Sequence, residues 1–265
     1  MTYNPSVVML IIVLVAIILI YYVLRYAGRK KMVKDVTLTE DDVDRILMEK
    51  VGFYKQLNEE DKIVFVKRVL YFLKTTKISA EKGAIITDAD RVLVAASGTI
   101  PLFHFKNWAY ENLEEVLIYP DTFTEKFSIE DDKRNVLGMV GTGALNHKMI
   151  LSLGALRAGF SRRPEGNTAI HEFVHLIDKA DGEIDGIPEY LIPKSLMQPW
   201  LQEMEKTILE IVDGESEIRH YATTNEAEFL AVVSEYFFKK PDMLQQDHPE
   251  LYALLDQMYN QKSTI

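Results

Sequence analysis

Apolar residues recur at helical spacing in three segments of the first hundred residues: 37–50, 58–77 and 87–103. Each segment opens with an oxygen-bearing side chain three positions before an acidic one, a pattern typical of helix N-termini. The capping residues are Thr37, Asn58 and Thr87. The pattern predicts helices that end near Lys50 and Lys77, and a buried helix in the apolar stretch Val92–Phe103. Because this last stretch is rich in valine, a strand remains an alternative there.

Two short apolar runs, Glu115–Pro120 and Met149–Leu156, predict strands, and the polar, glycine-containing residues 121–147 between them predict a long loop. Helical spacing returns in three segments: a helix from Pro164 or Glu165 to Lys179, a helix over Pro199–Val212, and a helix opened by the capping pair Thr223 and Glu226. The predicted class is therefore α+β, mostly helical with a small β-sheet.

The N-terminus has a different pattern, because Val7–Leu24 is apolar and carries no charge. As a helix it would be about 27 Å long, which suits a bilayer core. Residues 1–6 lack the basic residues of a secretory signal peptide, so a single membrane anchor is favoured. The basic residues of 25–36 place that linker inside. We expect a single-pass protein of the cell (inner) membrane, with residues 1–6 outside and a cytoplasmic domain over 37–265.

Composition narrows the function. The net charge of −10 argues against nucleic-acid binding. The 265 residues include no cysteine, so disulfides, thiolate ligands and cysteine nucleophiles are excluded. Any zinc site must use His, Asp, Glu and water.

The motif His171-Glu172-Phe173-Val174-His175 carries the candidate chemistry. Two imidazoles four residues apart on a helix project from one face and can bind one metal ion. Glu172 would lie beside that metal as a general base. The flanking residues are apolar, and polar groups on such a helix need partners. A Zn²⁺ ion would satisfy them, which we favour over an accidental pair.

A zinc site that performs hydrolysis needs a third protein ligand. Glu228 and Glu235 share one face of a largely apolar helix, seven residues apart. We assign Glu228 as the ligand and expect Glu235 to hold a histidine ring N–H, with an exchange of these two roles as the open alternative. Asp181, six residues after His175, is a rival ligand, although the glycine turn expected before it is missing.

Asp178 shares the face of the two histidines. It is expected either to orient an imidazole or to cap a neighbouring group.

With these residues, the chain resembles the Mlc titration factor A family of zinc peptidases over roughly residues 54 to 258. The matching pieces are LNEEDKIVFVKRVLYFLKTTKI, EEVLIYPDTF, NTAIHEFVHLIDKADG and YATTNEAEFLAVVSEYFFKKP. The region around Tyr221 and Glu228 is also similar to zincins of the lethal-factor type. The resemblance implies a zincin-like metallopeptidase domain with His171, His175 and Glu228 as zinc ligands and Glu172 as the base.

The same resemblance implies that Tyr221 faces the metal, where its hydroxyl could stabilise an oxyanion. Two features depart from the family pattern: the predicted N-terminal anchor, and Asn225-Glu226 where the family has Asn-Pro or Asp-Pro. Binding of the Mlc repressor does not carry over, because no motif identifies that partner.

The sequence thus predicts a membrane-anchored zinc peptidase acting on a peptide or protein substrate. The strand Met149–Leu156 would offer an open edge to an extended substrate, with Gly154 and Ala155 allowing close approach. A tethered module that sequesters a regulatory protein, with structural zinc, is the alternative. Glu172 argues against it, since a structural site gains nothing from an unliganded carboxylate. Hydrolysis of a non-peptide amide or ester is a third possibility.

Overall fold

The computed structural model describes residue 9 and residues 12–20, 37–106, 108–124, 127–129, 135–141, 143–161, 166–188 and 191–260. Within these residues the chain is mostly helical with a small mixed sheet, which confirms the coarse class predicted from the sequence. The helices are α1 (12–20), α2 (Glu40–Lys50), α3 (Gly52–Gln56), α4 (Glu59–Thr75), α5 (Asp88–Thr99), α6 (Leu153–Gly159), α7 (Thr168–Asp178), α8 (Lys194–Val212), α9 (Glu226–Lys239), α10 (Pro241–Asp247) and α11 (Pro249–Tyr259). Short 3₁₀ turns lie at Gly143–Leu145, Lys179–Asp181 and His220–Thr223.

The sheet contains β1 (Lys77–Ala80), β2 (Glu115–Tyr119), β3 (Gly138–Val140) and β4 (Lys148–Ser152) in the order β1-β2-β4-β3. The pairs β1–β2 and β2–β4 are parallel, whereas β3 runs antiparallel to β4 and forms an edge. The predicted strand Glu115–Pro120 is confirmed as β2.

The predicted strand Met149–Leu156 was wrong in two respects. It ends at Ser152, whose hydroxyl accepts a hydrogen bond from Ala155 N (3.3 Å) and caps α6, so Gly154 and Ala155 are helical. In addition, β4 is not an edge, because β2 and β3 flank it. The edge strand on this side of β4 is β3, which lies within the segment 121–147 that was predicted to be a loop.

Most predicted helices are confirmed, with shifted ends. Asn58 and Thr87 cap α4 and α5 as expected, and the apolar stretch after Thr87 is helical rather than extended. Thr39, not Thr37, caps α2. α4 ends two residues before the predicted limit because β1 begins at Lys77.

The later helices also differ at their ends. α8 starts upstream of Pro199, which lies inside the helix. Asn225, rather than Thr223, caps α9. α7 begins at Thr168, capped by Asn167, and Pro164 and Glu165 lie outside the described residues.

No helix among the described residues is long and apolar enough to cross a membrane. α1 covers part of the predicted span Val7–Leu24, and the other positions of that span except residue 9, together with 25–36, lie outside the described residues. The structure therefore gives the membrane anchor no support, and the anchor stays a prediction from the sequence.

α7 crosses the centre of the core between α5 and α9. Apolar side chains on almost every face of α7, including Phe173, are buried. Gly98 of α5 permits this close packing, because a β-carbon there would lie 2.8 Å from the Phe173 ring. The polar residues of α7 are thus held on a rigid, buried helix beside α9 and β3.

Candidate metal centre

Three side chains from α7 and α9 converge on one point. Nε2 of His171 lies 3.1 Å from Nε2 of His175 and 2.9 Å from Oε2 of Glu228. The remaining distance, from His175 Nε2 to Glu228 Oε2, is 3.5 Å. These residues are the one group of possible metal-ligand side chains found within the part of the chain that the structure describes.

The triangle of donor atoms has the dimensions of a zinc site. Zinc binds imidazole nitrogen and carboxylate oxygen at about 2.0–2.2 Å, so tetrahedral ligand atoms lie about 3.3 Å apart. The observed distances of 2.9 to 3.5 Å fit this value. A metal bound there would be held by His171, His175 and Glu228, which leaves a fourth position for water or substrate.

Glu235 approaches the same imidazole from its other side. Its Oε1 accepts a hydrogen bond from His171 Nδ1 at 2.8 Å, so Nε2 is the ring nitrogen that faces the centre of the cluster. The sequence left open whether Glu228 and Glu235 exchange roles. In the structure Glu228 faces the Nε2 atoms and Glu235 faces Nδ1.

Charge and burial act in opposite directions on these groups. Burial raises the pKa of Glu228, but hydrogen bonds with His171 and His175 outweigh burial and hold that pKa well below its ordinary value. Burial lowers the pKa of His171, but its bonds to Glu228 and Glu235 raise it overall. The carboxylates therefore stabilise a positive charge at the centre of the cluster, and a divalent cation would supply that charge.

Glu172 is buried beside the cluster and against β3. Burial raises its pKa, the charges of the two histidines lower it, and the neighbouring carboxylates raise it again; the net change is upward. A carboxylate with a raised pKa accepts a proton more readily near neutral pH, as a general base must.

Tyr221 lies in the 3₁₀ turn just before α9. Its ring centroid is 6.1 Å from that of His171, and 52% of the residue is exposed. Burial of the hydroxyl, followed by the charge and hydrogen bond of Glu228, raises the pKa of Tyr221 to about 12. The hydroxyl therefore keeps its proton at neutral pH and can donate it in a hydrogen bond.

Asp178 has a different position from the other candidates. Its Oδ2 accepts a hydrogen bond from Gly186 N at 3.0 Å, so it caps the loop after α7, which is one of the two roles expected for it. The side chain of Asp181, the rival ligand, lies outside the described part of the structure.

The sequence reasoning missed three residues that contact the site. Gly138 lies against Glu172, Asn167 N donates a short hydrogen bond to Glu235 Oε2, and Arg219 donates to Glu235 Oε1 at 2.5 Å. Arg219 stands two residues before Tyr221, where the segment that resembles the family begins. A basic residue at this place was the available sequence signal for a residue that contacts the site. Gly138 had no local signal, because its partner is remote in sequence.

The sequence is similar to those of known proteins over most of its length. The chain is 27% identical over 232 residues to an uncharacterized protein of Synechocystis sp., covering 81% of this chain and 82% of the relative. It is 28% identical over 206 residues to Mlc titration factor A of Pectobacterium atrosepticum (72% and 75% covered). It is 30% identical over 201 residues to Mlc titration factor A of Salmonella typhi (72% and 75% covered).

The family model described as glucose-regulated metallo-peptidase M90 matches residues 24–260, and this range contains α7, α9 and all three convergent side chains. The chain therefore belongs to the M90 metallo-peptidase family, together with the Mlc titration factor A proteins.

Proposed function

We propose that this protein is a zinc-dependent peptidase with a zincin-like domain, in which Glu172 is the general base. The observation that carries the proposal is the convergence of His171, His175 and Glu228 at tetrahedral spacing, with Glu172 buried next to them. A purely structural zinc site fills its fourth position with a protein group and has no use for a further carboxylate.

Each residue then has a defined task. Zinc, when bound, supplies a Lewis acid that polarises the scissile carbonyl and lowers the pKa of a water ligand toward about 7. Glu172 takes up the proton lost from the attacking water and delivers it to the leaving amine. The Tyr221 hydroxyl donates a hydrogen bond to the oxyanion that develops on the substrate.

The edge strand β3 supports a peptide as the substrate. Backbone hydrogen bonds of 2.8 Å join Leu137 and Gly141 to β4. Hydrogen-bonded pairs alternate along an antiparallel ladder, so the N–H and C=O groups of Gly138 and Val140 point toward the free edge. An extended peptide can pair with them there, beside Glu172. This edge takes the place of the one predicted at Met149–Leu156.

A second candidate is a binding role. Several relatives are named Mlc titration factor A, and a binding role for this chain would be the sequestration of a regulatory protein, with zinc structural. In that case a change at Glu172 would leave function intact.

Membrane attachment through residues 7–24 and a cytoplasmic domain remain part of the proposal from the sequence alone. Fractionation of cells that express the full chain would test both.

The decisive experiment compares the full-length protein with Glu172→Gln. We expect equal zinc content in both, and a loss of peptide cleavage by a factor of about 100 or more in the variant. Glu205→Gln, an exposed acid on α8, is the matched control and keeps full activity. Equal cleavage by wild type and Glu172→Gln would refute the assigned base; zinc binding without any cleavage by wild type would favour the binding role.

A further inference from the structure

A buried carboxylate connects the proposed metal site to the rest of the fold. Glu235 is 3% exposed, and donors on three separate segments converge on its two oxygens. His171 Nδ1 and Arg219 Nη2 donate to Oε1 at 2.8 and 2.5 Å, and Asn167 N donates to Oε2. Three donors on two oxygens fix the plane of the carboxylate, and that plane fixes the rotation of the His171 ring.

Arg219 is the one donor of the three whose side chain always carries a positive charge. Its side chain, 38% exposed, lies just before the turn His220–Thr223, and its carbonyl accepts from Ala222 N at 2.9 Å within that turn. Arg219 therefore joins the turn that carries Tyr221 to the carboxylate that orients His171.

The backbone at Gly166 lies so close to the Arg219–Glu235 ion pair that only glycine fits there. A β-carbon on Gly166 would overlap Glu235 Oε2 and would lie 3.0 Å from Arg219 Nη2. Lys239 Nζ donates to Gly166 O at 3.0 Å and holds that segment in place. Residue 166 thus lies against the Arg219–Glu235 pair, and the hydrogen bond from Lys239 holds it there.

We propose that Arg219 is a positioning residue, which holds His171 in its metal-binding orientation through Glu235 and ties the Tyr221 turn to the same carboxylate. The inference rests on the proposed zinc peptidase function. It assigns Arg219 no contact with substrate or metal. Partners that orient a ligand in this way typically contribute 10- to 100-fold to metal affinity or activity, about the range expected here.

The chain offers a matched control in Arg157. Arg157, 50% exposed, donates two hydrogen bonds of 2.8 Å to the buried carboxylate of Asp90, which also accepts from the backbone N–H of Thr87, the N-cap residue of α5. The pair resembles Arg219–Glu235 in burial and distance, but neither Asp90 nor its partners Thr87 and Arg157 belong to the metal-binding cluster.

The test measures the zinc dissociation constant of the full-length protein by competition with a chelator, without substrate. Arg219→Gln should weaken zinc binding about tenfold, Arg219→Lys should fall between it and wild type, and Arg157→Gln should bind zinc as wild type does. In peptide cleavage with saturating zinc, Arg219→Gln should lower kcat and leave KM unchanged.

An unchanged zinc affinity in Arg219→Gln, or the same loss in Arg157→Gln, would overturn the inference. If Arg219→Gln does not fold, Arg219→Lys supplies the comparison. Because zinc binding is measured separately, a wild type that binds zinc but cleaves nothing would end the peptidase proposal and leave this test intact.

Discussion

Gly138 on the edge strand lies so close to Glu172 on α7 that a β-carbon at position 138 would stand 2.7 Å from both Cγ and Oε1 of the glutamate. A β-carbon essentially never lies this close to another heavy atom, so any side chain at 138 must displace either the proposed base or the edge strand. The edge strand thus limits where the Glu172 carboxylate can lie as well as offering backbone groups to a substrate.

Gly138→Ala should therefore reduce kcat for peptide cleavage by about 10- to 100-fold, because a displacement of a catalytic group by about 1 Å costs that much. Zinc content should not change, since Glu172 is not a ligand. Kinetics with zinc analysis of the purified protein checks both. Gly52→Ala, at a position with open space around it, is the control; equal activity of the two variants would contradict the proposed positioning.

Glu228→Gln should release zinc more readily than Glu235→Gln. The first change removes a proposed ligand atom, whereas the second weakens only the partner of His171 Nδ1, worth about tenfold or somewhat more. Zinc affinities from chelator competition give the order. The reverse order would exchange the roles of the two glutamates.

Removal of zinc should lower the melting temperature, since a metal that binds only the folded chain stabilises it by about 3 to 4 kcal/mol at free zinc about 100 to 1,000 times its Kd. Differential scanning calorimetry with and without chelator measures the shift. Glu172→Gln should show the same shift as wild type, and Glu228→Gln a smaller one. A shift of equal size in all three proteins would argue against Glu228 as a ligand.

Tyr221→Phe should lower kcat about 10²- to 10³-fold with little change in KM, because a hydrogen bond to an oxyanion forms only in the transition state. Zinc affinity should stay within a small factor of wild type. The measurement is steady-state cleavage of one peptide at several concentrations. A variant that changed KM alone would assign Tyr221 to substrate binding instead.

The free energy of unfolding should fall in acid as Asp90 becomes protonated. Burial raises the pKa of this carboxyl, but the hydrogen bonds from Arg157 and Thr87 outweigh burial and lower the pKa from 3.8 to about 2. The unfolded chain therefore binds the proton first, and the stabilisation is complete above pH about 4 and lost as pH falls toward 2. Melting temperatures from pH 5 to 2 should fall more steeply for wild type than for Asp90→Asn. Parallel curves would refute the assignment.

Local pattern predicted the helices well because helix capping and helical spacing act over a few residues. Asn58 and Thr87 satisfy amide groups within their own first turn, so their role is visible without any tertiary contact. The strand limits were harder to predict. The residues Leu153–Leu156 are as apolar as those of β4, and only the hydroxyl of Ser152, which caps Ala155 N, ends the strand and starts α6.

The sequence by itself determined that two imidazoles share a face of α7 with Glu172 beside them, since a four-residue spacing puts side chains one turn apart on any helix. Only the tertiary structure decided what meets them. Glu228 and Glu235 lie two turns apart, about 10 Å along α9, and contact Nε2 and Nδ1 of the same His171 ring from opposite sides.

Which glutamate contacts which nitrogen of His171 depends on how α9 packs against α7. Gly138 and Arg219 belong to the site only because tertiary packing brings β3 and the turn before α9 next to α7 and α9. These contacts join residues up to 64 positions apart in the chain, and no local pattern encodes pairs so far apart.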